Sequence, residues 1–546
     1  MSASDPGEHE AMLAALARPS AFPTDRGVSS AVERVDTHIS HVFLTRHRVY
    51  KMRRPVKLTF LDFSTVEERN ADCLREVALN RRLSPDVYLG LAPVLPDAER
   101  PGVFFIGEIA ERLYDAPSTE HCVVMRRLPA GRDMKSLLAA GDIEARHVDA
   151  VAMRMADFHA AHRLDTVALA DTRQWLDRTI APARGNIEAL LKTDGPGIAR
   201  SEVESVAAAA EQFARSHASR FEQRLLRGRV VDGHGDLHCE HVWFETADSA
   251  PLMVDCLEFR EDFRHIDAAS DIAFLAMDLQ YRGRADLAAR LLRRYARHSG
   301  DYHLFSVVDF FLSYRAMVRA KVAALVATDE SFGPDKRHGA RESARAHLEL
   351  GASFLTARAP GAVVLVSGTV GTGKTTVAEA LADAMGGVVL SSDHIRKDRA
   401  GLPAAAREGR GTDQGMYEAE ARAAVYAAML EEADAVVASG RCAILDGTYA
   451  RRSWRHDAAA WARARGVEAW LVEVTAPEAL VLERLRHRAA AGEDASDAGP
   501  EHYALLTARM EEASEWMSQR RARVDTAGDW RGDVTQFAER VRRSAP

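Results

Sequence analysis

The most constraining feature of the sequence is the segment 368–375, Gly-Thr-Val-Gly-Thr-Gly-Lys-Thr, which directly follows the apolar run 362–366. A strand leading into glycines at 368, 371 and 373 is typical of a loop whose backbone N–H groups surround phosphate oxygens at the start of a helix. Lys374 is expected to reach the β- and γ-phosphates of ATP, and the Thr375 hydroxyl to ligate Mg²⁺. The remaining residues expected to line the nucleotide are Thr369, Val370, Thr372 and Thr376. We call residues 368–376 the phosphate loop.

Composition places the chain among soluble globular proteins and excludes several classes. Its 546 residues exceed what one core usually supports, which predicts two or three domains. With 47% hydrophobic residues, 28% charged residues and a net charge of −8, it does not resemble a dedicated nucleic-acid coat. The five cysteines form no CxxC pair, so we expect no disulfide framework and a reducing cytoplasm. The sequence lacks an export signal and any run of 18 apolar residues, which predicts no membrane association.

A domain boundary is predicted at residue 358. Residues 328–338 are polar and turn-rich, 339–355 have a helical pattern, and 356–361 break that pattern before the next strand. Residues 1–357 and 358–546 are therefore interpreted as two domains. In the second, strands are predicted at 362–367, 388–392, 442–446 and 469–474, alternating with helices at 374–385, 415–438, 452–465 and 477–490. Such alternation with continuous apolar strands indicates an α/β fold with a parallel sheet covered on both faces.

The first domain has a different order. Short strands are predicted at 42–44, 49–50, 103–106 and 122–125, a helix at 66–83, and a further strand pair near 229–259 within mostly helical sequence. This pattern predicts an α+β fold in which a strand-rich lobe precedes a helix-rich lobe.

Candidate catalytic residues of the second domain cluster at strand ends. Asp446 ends the strand 442–446, where a carboxylate could hold Mg²⁺ beside Thr375. Asp393 and Arg396 follow the strand 388–392 and are three residues apart, so they would share a face of a helix that opens there; Asp393 could then accept a proton from an acceptor hydroxyl while Arg396 binds acceptor or phosphate. The alternatives are a solvated strand end for Asp446 and an N-cap with an exposed arginine for the other two.

Two arginines precede a flexible segment and suggest a lid. Arg484 and Arg488 end a basic helix that leads into residues 489–500, with Gly492 and Gly499. A mobile basic segment could close over the phosphates and exclude water, although a solvated basic helix is the alternative.

These motifs resemble the P-loop kinases, a group that includes polynucleotide kinase ends, gluconate kinase, chloramphenicol phosphotransferase and zeta toxins, over about residues 360 to 525. The resemblance implies that Asp393 is the general base, that Arg396 contacts acceptor or phosphate, and that Arg488 or Arg484 stabilises the transition state. A kinase is preferred over an ATPase motor, since no assembly arginine finger or sensor region is identifiable.

The first domain contains a second set of candidate residues. Asp236 lies in His234-Gly-Asp236 after a short apolar run, and Asp255 follows at the end of a neighbouring strand. Asp236 could accept a hydroxyl proton, and Asp255 could bind Mg²⁺. Upstream, Lys51 at a strand end and Glu76 on a helix could form the ion pair that directs lysine to the α- and β-phosphates.

This set resembles the aminoglycoside phosphotransferases and their protein-kinase-like relatives over about residues 30 to 330. Two departures stand out: His241 occupies the position where that family has a metal-binding Asn, and residues 36–40 lack the glycines of a phosphate-covering loop. Imidazole is a poorer Mg²⁺ ligand than an amide oxygen, so this lobe could be weakened, shifted to another metal or inactive. Other interpretations are a zinc site of His234, His238 and His241 near Asp236, or buried polar residues that stabilise a loop. The whole chain resembles a fusion of an aminoglycoside-phosphotransferase-like domain with a P-loop kinase domain.

Three functional hypotheses follow. The first is an ATP-dependent phosphotransferase that acts on a hydroxyl of a small polar molecule such as a sugar, aminoglycoside, nucleoside or nucleotide-sugar. The second is a kinase of 5′-hydroxyl ends of nucleic acid, suggested by basic clusters at 451–455 and 520–523 and less favoured, because such clusters are usually solvated helix faces. The third is a P-loop kinase regulated by a first domain that binds a ligand or nucleotide without turnover. The acceptor and the oligomeric state are not specified by the sequence.

Overall fold

A computed structural model describes residues 6–25, 32–58, 61–114, 118–165, 172–193, 197–401, 419–491 and 499–544. Packing groups the chain into two compact units. Unit 1 comprises Met1–Ala150, Phe158–Leu164 and Val230–Asp271, and unit 2 comprises Val151–Asp157, Asp165–Arg229 and Ile272–Pro546. The predicted boundary at 358 marks a change in sequence pattern and stays a prediction. The packing of the structure places residues 272–357 in the same unit as the phosphate loop.

The helices and strands are bounded as follows. The strands are β1 Glu33–Asp36, β2 Ser40–Leu44, β3 Arg48–Arg53, β4 Lys57–Leu58, β5 Leu61–Asp62, β6 Tyr88–Pro96, β7 Phe104–Ile106, β8 His121–Arg126, β9 Val230–Asp232, β10 Val242–Trp243, β11 Leu252–Met253, β12 His265–Asp267, β13 Val363–Ser367, β14 Val388–Ser391, β15 Ala443–Asp446, β16 Ala469–Thr475 and β17 Arg521–Asp525. The helices are α1 Pro6–Leu16, α2 Val66–Asn80, α3 Met134–Ala140, α4 Ala145–Ala161, α5 Thr172–Lys192, α6 Arg200–Ser216, α7 Ala218–Leu226, α8 Ala268–Tyr281, α9 Ala285–Ser299, α10 Val308–Thr328, α11 Pro334–Phe354, α12 Lys374–Met385, α13 Ser392–Arg399, α14 Ala419–Ala438, α15 Arg452–Ala464, α16 Glu478–Ala491, α17 Tyr503–Ala508 and α18 Arg531–Ser544.

Unit 1 is built on an antiparallel sheet in the order β1-β2-β3-β8-β6-β7. Alternate residues of β8 point to opposite faces, so Val124 packs with α1, while Val123 packs with Cys73 and Val77 of α2. The Thr65 side chain caps α2 by accepting a hydrogen bond from the Glu68 backbone. The sheet and α2 thus hold β3 and Glu76 in fixed positions, and the predicted strand-rich lobe is confirmed.

Unit 2 contains a five-stranded parallel sheet in the order β14-β15-β13-β16-β17. Every residue of β13 is buried, because helices cover both faces of the sheet. Val364 and Val366 pack against Val377 and Leu381 of α12 and Phe537 of α18. The predicted α/β fold with a parallel sheet is confirmed, and the carboxyl ends of its strands meet around the phosphate loop.

Some predicted bounds change. The helix expected from residue 339 begins at Pro334, because Pro is favoured at the first helical position and Gly333 supplies the extended residue before it. The helix expected at 66–83 ends at Asn80. The start of the helix expected at 415–438 lies outside the described residues, which show it from Ala419.

Among the described residues, none of the helices combines the length and the apolar character that crossing a membrane requires. All five cysteines are buried as free thiols.

Candidate functional site

The phosphate loop links β13 to α12 through a backbone that side chains would obstruct. A Cβ atom at Gly368, whose φ is 153°, would lie 2.4 Å from the Val474 carbonyl oxygen of β16. Gly373 has φ 91° and precedes the first residue of α12, Lys374. The Lys374 ammonium group donates to the Thr369 carbonyl at 2.8 Å, so its side chain folds over the loop. The loop therefore presents backbone N–H groups and an ammonium at one helix start, where they favour an anion.

Thr375 and Asp446 meet beside the loop. Asp446 ends β15, directly opposite Val366 of β13, and the Thr375 hydroxyl donates to its Oδ2 at 2.8 Å. Burial raises the pKa of Asp446, while the Lys374 charge and the Thr375 hydrogen bond act in the opposite direction. A hydroxyl and a carboxylate are the oxygen ligands that Mg²⁺ prefers, so these residues fit the metal that was predicted there.

Asp393 and Arg396 lie on the first turn of α13, which follows β14. Ser391 at the end of β14 is opposite Asp446, so the sheet brings α13 next to the carboxylate of β15. Arg396 is buried, and its guanidinium lies 3.5 Å from the half-exposed Asp393 carboxylate. The predicted shared face of this pair is therefore present.

The two predicted lid arginines lie on α16. Arg484 donates to the Thr526 hydroxyl at 2.8 Å and to the Thr526 carbonyl at 3.0 Å, and the Thr526 hydroxyl donates to the Thr372 carbonyl at 2.8 Å. Arg484 is thereby fixed to the phosphate loop through Thr526. Arg488 lies one turn further along α16, and Gly492 falls outside the described residues.

A cavity of about 720 Å³ joins these groups. The predicted residues that line it are Val370, Gly371, Gly373, Lys374, Thr375, Thr376, Asp393, Arg396, Asp446, Arg484 and Arg488. Sequence reasoning missed other lining residues: Tyr426 on α14, Thr448 after β15, and Thr526 and Trp530 after β17. The turn-rich segment 525–530, which follows the apolar Val524, could have indicated the end of a last strand. Arg521 and Arg523 within that strand obscured its apolar pattern.

A second group of candidate residues lies in unit 1. The Lys51 ammonium group is 3.0 Å from Glu76 and 2.9 Å from Oδ1 of Asp255, so the predicted ion pair exists and extends to a third residue. Arg53 is fully buried beside this pair and contacts Asp72, Glu76 and Glu258. Burial raises the pKa of Glu258, and the Arg53 charge opposes that rise.

Asp236 lies in a loop whose backbone is hydrogen-bonded to the side chain of Asp271. The two carboxylate oxygens of Asp271 accept from the backbone N–H groups of His234 and Gly235, at 2.7 and 2.9 Å, and His159 contacts one of them at 3.0 Å. Gly235 has φ 84°, a left-handed conformation that glycine adopts readily. The loop thus leaves the Asp236 side chain partly exposed, with its Oδ2 3.7 Å from Nε2 of His238 and 3.7 Å from Nδ1 of His241.

The three histidines of this loop differ in where their ring protons lie. His234 contacts the Val254 carbonyl through Nε2 and accepts the Asp236 N–H through Nδ1, so the backbone occupies both of its nitrogens. His238 accepts the Glu240 N–H through Nδ1, which leaves the proton on Nε2. His241 donates from Nδ1 to the Asp236 carbonyl at 2.8 Å, which leaves a lone pair on Nε2.

Ligand atoms of Asp236, His238 and His241 lie within 4.8 Å of one another. His234 lies outside this group, because the backbone occupies both of its ring nitrogens, while a zinc site that uses His238, His241 and Asp236 stays a prediction.

Asp255 has an unusual backbone conformation. Its φ is 62°, a left-handed value that non-glycine residues rarely adopt, and its N–H donates to the Tyr88 hydroxyl at 3.0 Å. Burial alone would raise the pKa of this carboxyl, but the neighbouring Lys51 ammonium group outweighs it and holds the pKa below its usual range. Asp255 is therefore an ionised group whose second oxygen lies 3.5 Å from Nε2 of His241.

Three of the six arginines in the basic clusters that suggested nucleic acid contact acidic or carbonyl groups of unit 2. Arg455 is buried and contacts Glu515 and the carbonyls of Tyr449 and Glu512. Arg520 contacts Glu468, and Arg521 contacts Glu473. These three arginines stabilise the fold of unit 2, whereas Arg451, Arg452 and Arg523 of the same clusters are exposed, so a nucleic-acid surface at these positions stays a prediction.

Comparison with known proteins gives matches to both parts of the sequence. A family model described as an AAA domain matches residues 363–513, within the predicted P-loop domain. An uncharacterised protein of Mycobacterium tuberculosis strain H37Rv is 32% identical over 513 residues, which cover 93% of this chain and 95% of that protein.

Two solved structures match different shares of the chain. A gluconokinase from Sinorhizobium meliloti is 23% identical and covers 35% of this chain and 95% of its own, with a TM-score of 0.24. A choline/ethanolamine kinase family protein from Mesorhizobium loti is 13% identical and covers 64% of this chain and 99% of its own, with a TM-score of 0.35.

Proposed function

This chain belongs to the family of the M. tuberculosis protein that it matches over nearly its whole length, and we propose that it is an ATP-dependent phosphotransferase whose reaction takes place in the cavity of unit 2. One observation carries the proposal. The cavity unites a phosphate loop, the Thr375–Asp446 pair and the Asp393–Arg396 pair. Phosphoryl transfer requires these three functions together: a phosphate cradle, a cation site and a carboxylate near the acceptor.

The triphosphate is bound by the loop N–H groups and by Lys374, with Arg484 fixed close to the loop through Thr526. Thr375 and Asp446 would hold Mg²⁺, which, when bound, neutralises charge on the phosphates.

The Asp393 carboxylate accepts the proton of the acceptor hydroxyl, whose oxygen attacks the γ-phosphorus. The bond to the β–γ bridging oxygen then breaks, and ADP leaves. Arg396 and Arg488 stabilise negative charge on the acceptor side and on the transferred group.

A small polar molecule with a hydroxyl group is the proposed acceptor. A cavity of about 720 Å³ is within the range of pockets that bind ligands of drug size, and it must hold the nucleotide tail as well as the acceptor. Sugars, nucleosides and related compounds remain the proposed classes.

The test is transfer of labelled γ-phosphate from ATP to a library of hydroxyl metabolites by the full chain. Lys374→Ala should reduce transfer by about 100-fold or more, because the loop loses its ammonium from the site of charge development. Lys336→Ala is the control, since Lys336 is exposed and does not line the cavity. Undiminished transfer by Lys374→Ala, with loss in Asp236→Asn, would move the reaction to unit 1 and contradict the proposal.

A further inference from the structure

We propose that unit 1 contains a divalent-cation site formed by Nε2 of His241 and the carboxylate of Asp255, next to Asp236, and that this site selects a transition-metal ion over Mg²⁺. The ion would be Mn²⁺, Co²⁺ or Zn²⁺. The inference goes beyond the proposed function, which depends on unit 2 alone.

The distance between the two donor atoms suits a shared ion. Nε2 of His241 lies 3.5 Å from Oδ2 of Asp255. Two ligands that are each about 2.1 Å from one metal ion, at an angle between right and tetrahedral, lie about 3.0–3.5 Å apart. The side chains therefore need little movement to bind the same ion.

The hydrogen bonds of both side chains leave the required atoms available. Nδ1 of His241 donates to the Asp236 carbonyl, the arrangement that fixes the tautomer and the ring orientation of a metal-binding histidine. One oxygen of Asp255 contacts Lys51 at 2.9 Å, which leaves the other directed to His241.

The backbone keeps Asp255 in this position. Its left-handed conformation persists with support from the Tyr88 hydroxyl, which accepts the Asp255 N–H. Strained conformations of this kind persist when the surroundings enforce them, and they cluster at ligand sites.

The chemistry of the donors decides which ion binds. The resemblance to aminoglycoside phosphotransferases implies Mg²⁺, which prefers oxygen ligands, and an imidazole nitrogen does not fit that preference. Imidazole binds first-row divalent transition ions in preference to Mg²⁺, with an affinity that rises from Mn²⁺ through Co²⁺, and carboxylates accept these ions as well. The presence of His241 is therefore expected to replace Mg²⁺ by a transition-metal ion at this site without abolishing cation binding.

His238 provides a matched control. Its ring lies 4.0 Å from that of His241, centroid to centroid, yet its Nδ1 accepts the Glu240 N–H and its Nε2 carries the proton. Replacing it removes a neighbouring imidazole without removing a proposed ligand.

The experiment titrates the chelator-treated full chain with Co²⁺ alone, followed by visible absorption, and with Mn²⁺ alone, followed by electron spin echo modulation from nitrogen. Thr375→Ala serves as the background, so that the cation site of unit 2 does not contribute. We expect His241→Asn to weaken Co²⁺ binding about tenfold or more and to remove the nitrogen signal, without weakening Mg²⁺. His238→Asn should keep both properties.

Three results would overturn the proposal: a nitrogen signal that survives His241→Asn, equal losses in His238→Asn and His241→Asn, or Mg²⁺ displacing Mn²⁺ at equal concentration from the Thr375→Ala protein that carries no further substitution. If His241→Asn does not fold, the nitrogen signal of the parent and the loss of Co²⁺ binding in Asp255→Asn decide the question. Lys374→Ala should leave Co²⁺ binding unchanged, so failure here is distinct from failure of the phosphotransferase proposal.

Discussion

Asp271 illustrates how a single buried carboxylate can set the shape of a candidate catalytic loop. Its two oxygens accept the N–H groups of His234 and Gly235, and His159 contacts one of them from α4. Burial alone would raise the pKa of Asp271, but the hydrogen bond and charge of His159 outweigh it and hold the pKa below its usual range. The carboxylate is therefore ionised, and the position of Asp236 depends on it.

Replacing Asp271 by Asn should destabilise the protein by about 1–3 kcal/mol at neutral pH, because one buried N–H would face an amide NH₂ in place of an acceptor. The folded-state pKa is below the unfolded value, so the stabilisation exists above the unfolded pKa and disappears as pH falls through the folded pKa. The stability difference between parent and variant should therefore shrink in acid. Urea unfolding at neutral and acidic pH measures it.

The exposed Asp262 is the control for this substitution, since Asp262→Asn removes a carboxylate with 62% side-chain exposure. Its unfolding midpoint should match that of the parent. Equal midpoints for the parent and Asp271→Asn at neutral pH would show that the hydrogen bonds accepted by the Asp271 carboxylate contribute nothing to the free energy of unfolding.

At the scale of elements, α9 and α12 form a row of ion pairs within unit 2. Four arginines of α9 occupy one face at helical spacing, and Glu379 and Asp383 occupy one face of α12. Arg294 and Arg297 contact Glu379 at 3.0 and 2.6 Å, and Arg290 contacts Asp383 at 3.2 Å, where Arg293 also binds. Arg297 also contacts His394, the neighbour of Asp393. The helix that begins at Lys374 is thus held from a segment outside the match to the AAA domain model.

We expect Glu379→Gln to cost about 1–3 kcal/mol, because two partly buried guanidinium groups would lose a charged acceptor. Glu349→Gln on α11 is the matched control: its pair with Arg345 is exposed, and such pairs contribute at most about 1 kcal/mol. Chemical denaturation measures both variants. A loss no larger in Glu379→Gln than in Glu349→Gln would contradict a structural role for this row.

Strongly patterned elements could be predicted from sequence, and elements with conflicting local signals could not. The buried strand β13 and helix α12 match their predicted bounds closely, because continuous apolar residues and a capping glycine mark them. β6 was missed, although it is an inner strand, because Gly90, Pro93 and Pro96 argue locally against a strand. The row between α9 and α12 joins segments far apart in sequence, and no local pattern reveals that they meet.

The same reasoning applies to the candidate site. Lys374, Asp393 and Asp446 were found because loop and strand-end motifs place them at one edge of a parallel sheet. Tyr426 and Trp530 were missed because their roles depend on how α14 and the segment before α18 pack. Which ring nitrogen of His241 and of His238 carries the proton depends on backbone contacts that the spacing of these residues in the sequence does not specify.

For the molecule as a whole, the two compact units defined by packing have different bounds from the two domains, 1–357 and 358–546, predicted from sequence. Residues 272–357 belong to the unit that contains the phosphate loop. Besides α9, this segment contributes Asp309, which contacts Arg441 at 2.7 Å. Residues 358–546 therefore include surfaces whose charged groups are satisfied by the preceding helices.

A fragment of residues 358–546 should accordingly be less stable and less soluble than a fragment of residues 272–546, which retains α9 and α10. Thermal unfolding and soluble yield compare the two fragments under the same conditions. If the shorter fragment melts at the same temperature, the preceding helices are dispensable and the boundary at 358 is also a folding boundary.

The close approach of Gly368 to the Val474 carbonyl has a consequence for interpreting diverged relatives. A side chain at position 368 would clash with the neighbouring strand whether or not a nucleotide is bound. A relative that has lost catalysis should therefore still have glycine there. No such steric constraint from the sheet requires lysine at position 374. Whether a relative remains an active enzyme is therefore better judged from the lysine than from the glycine.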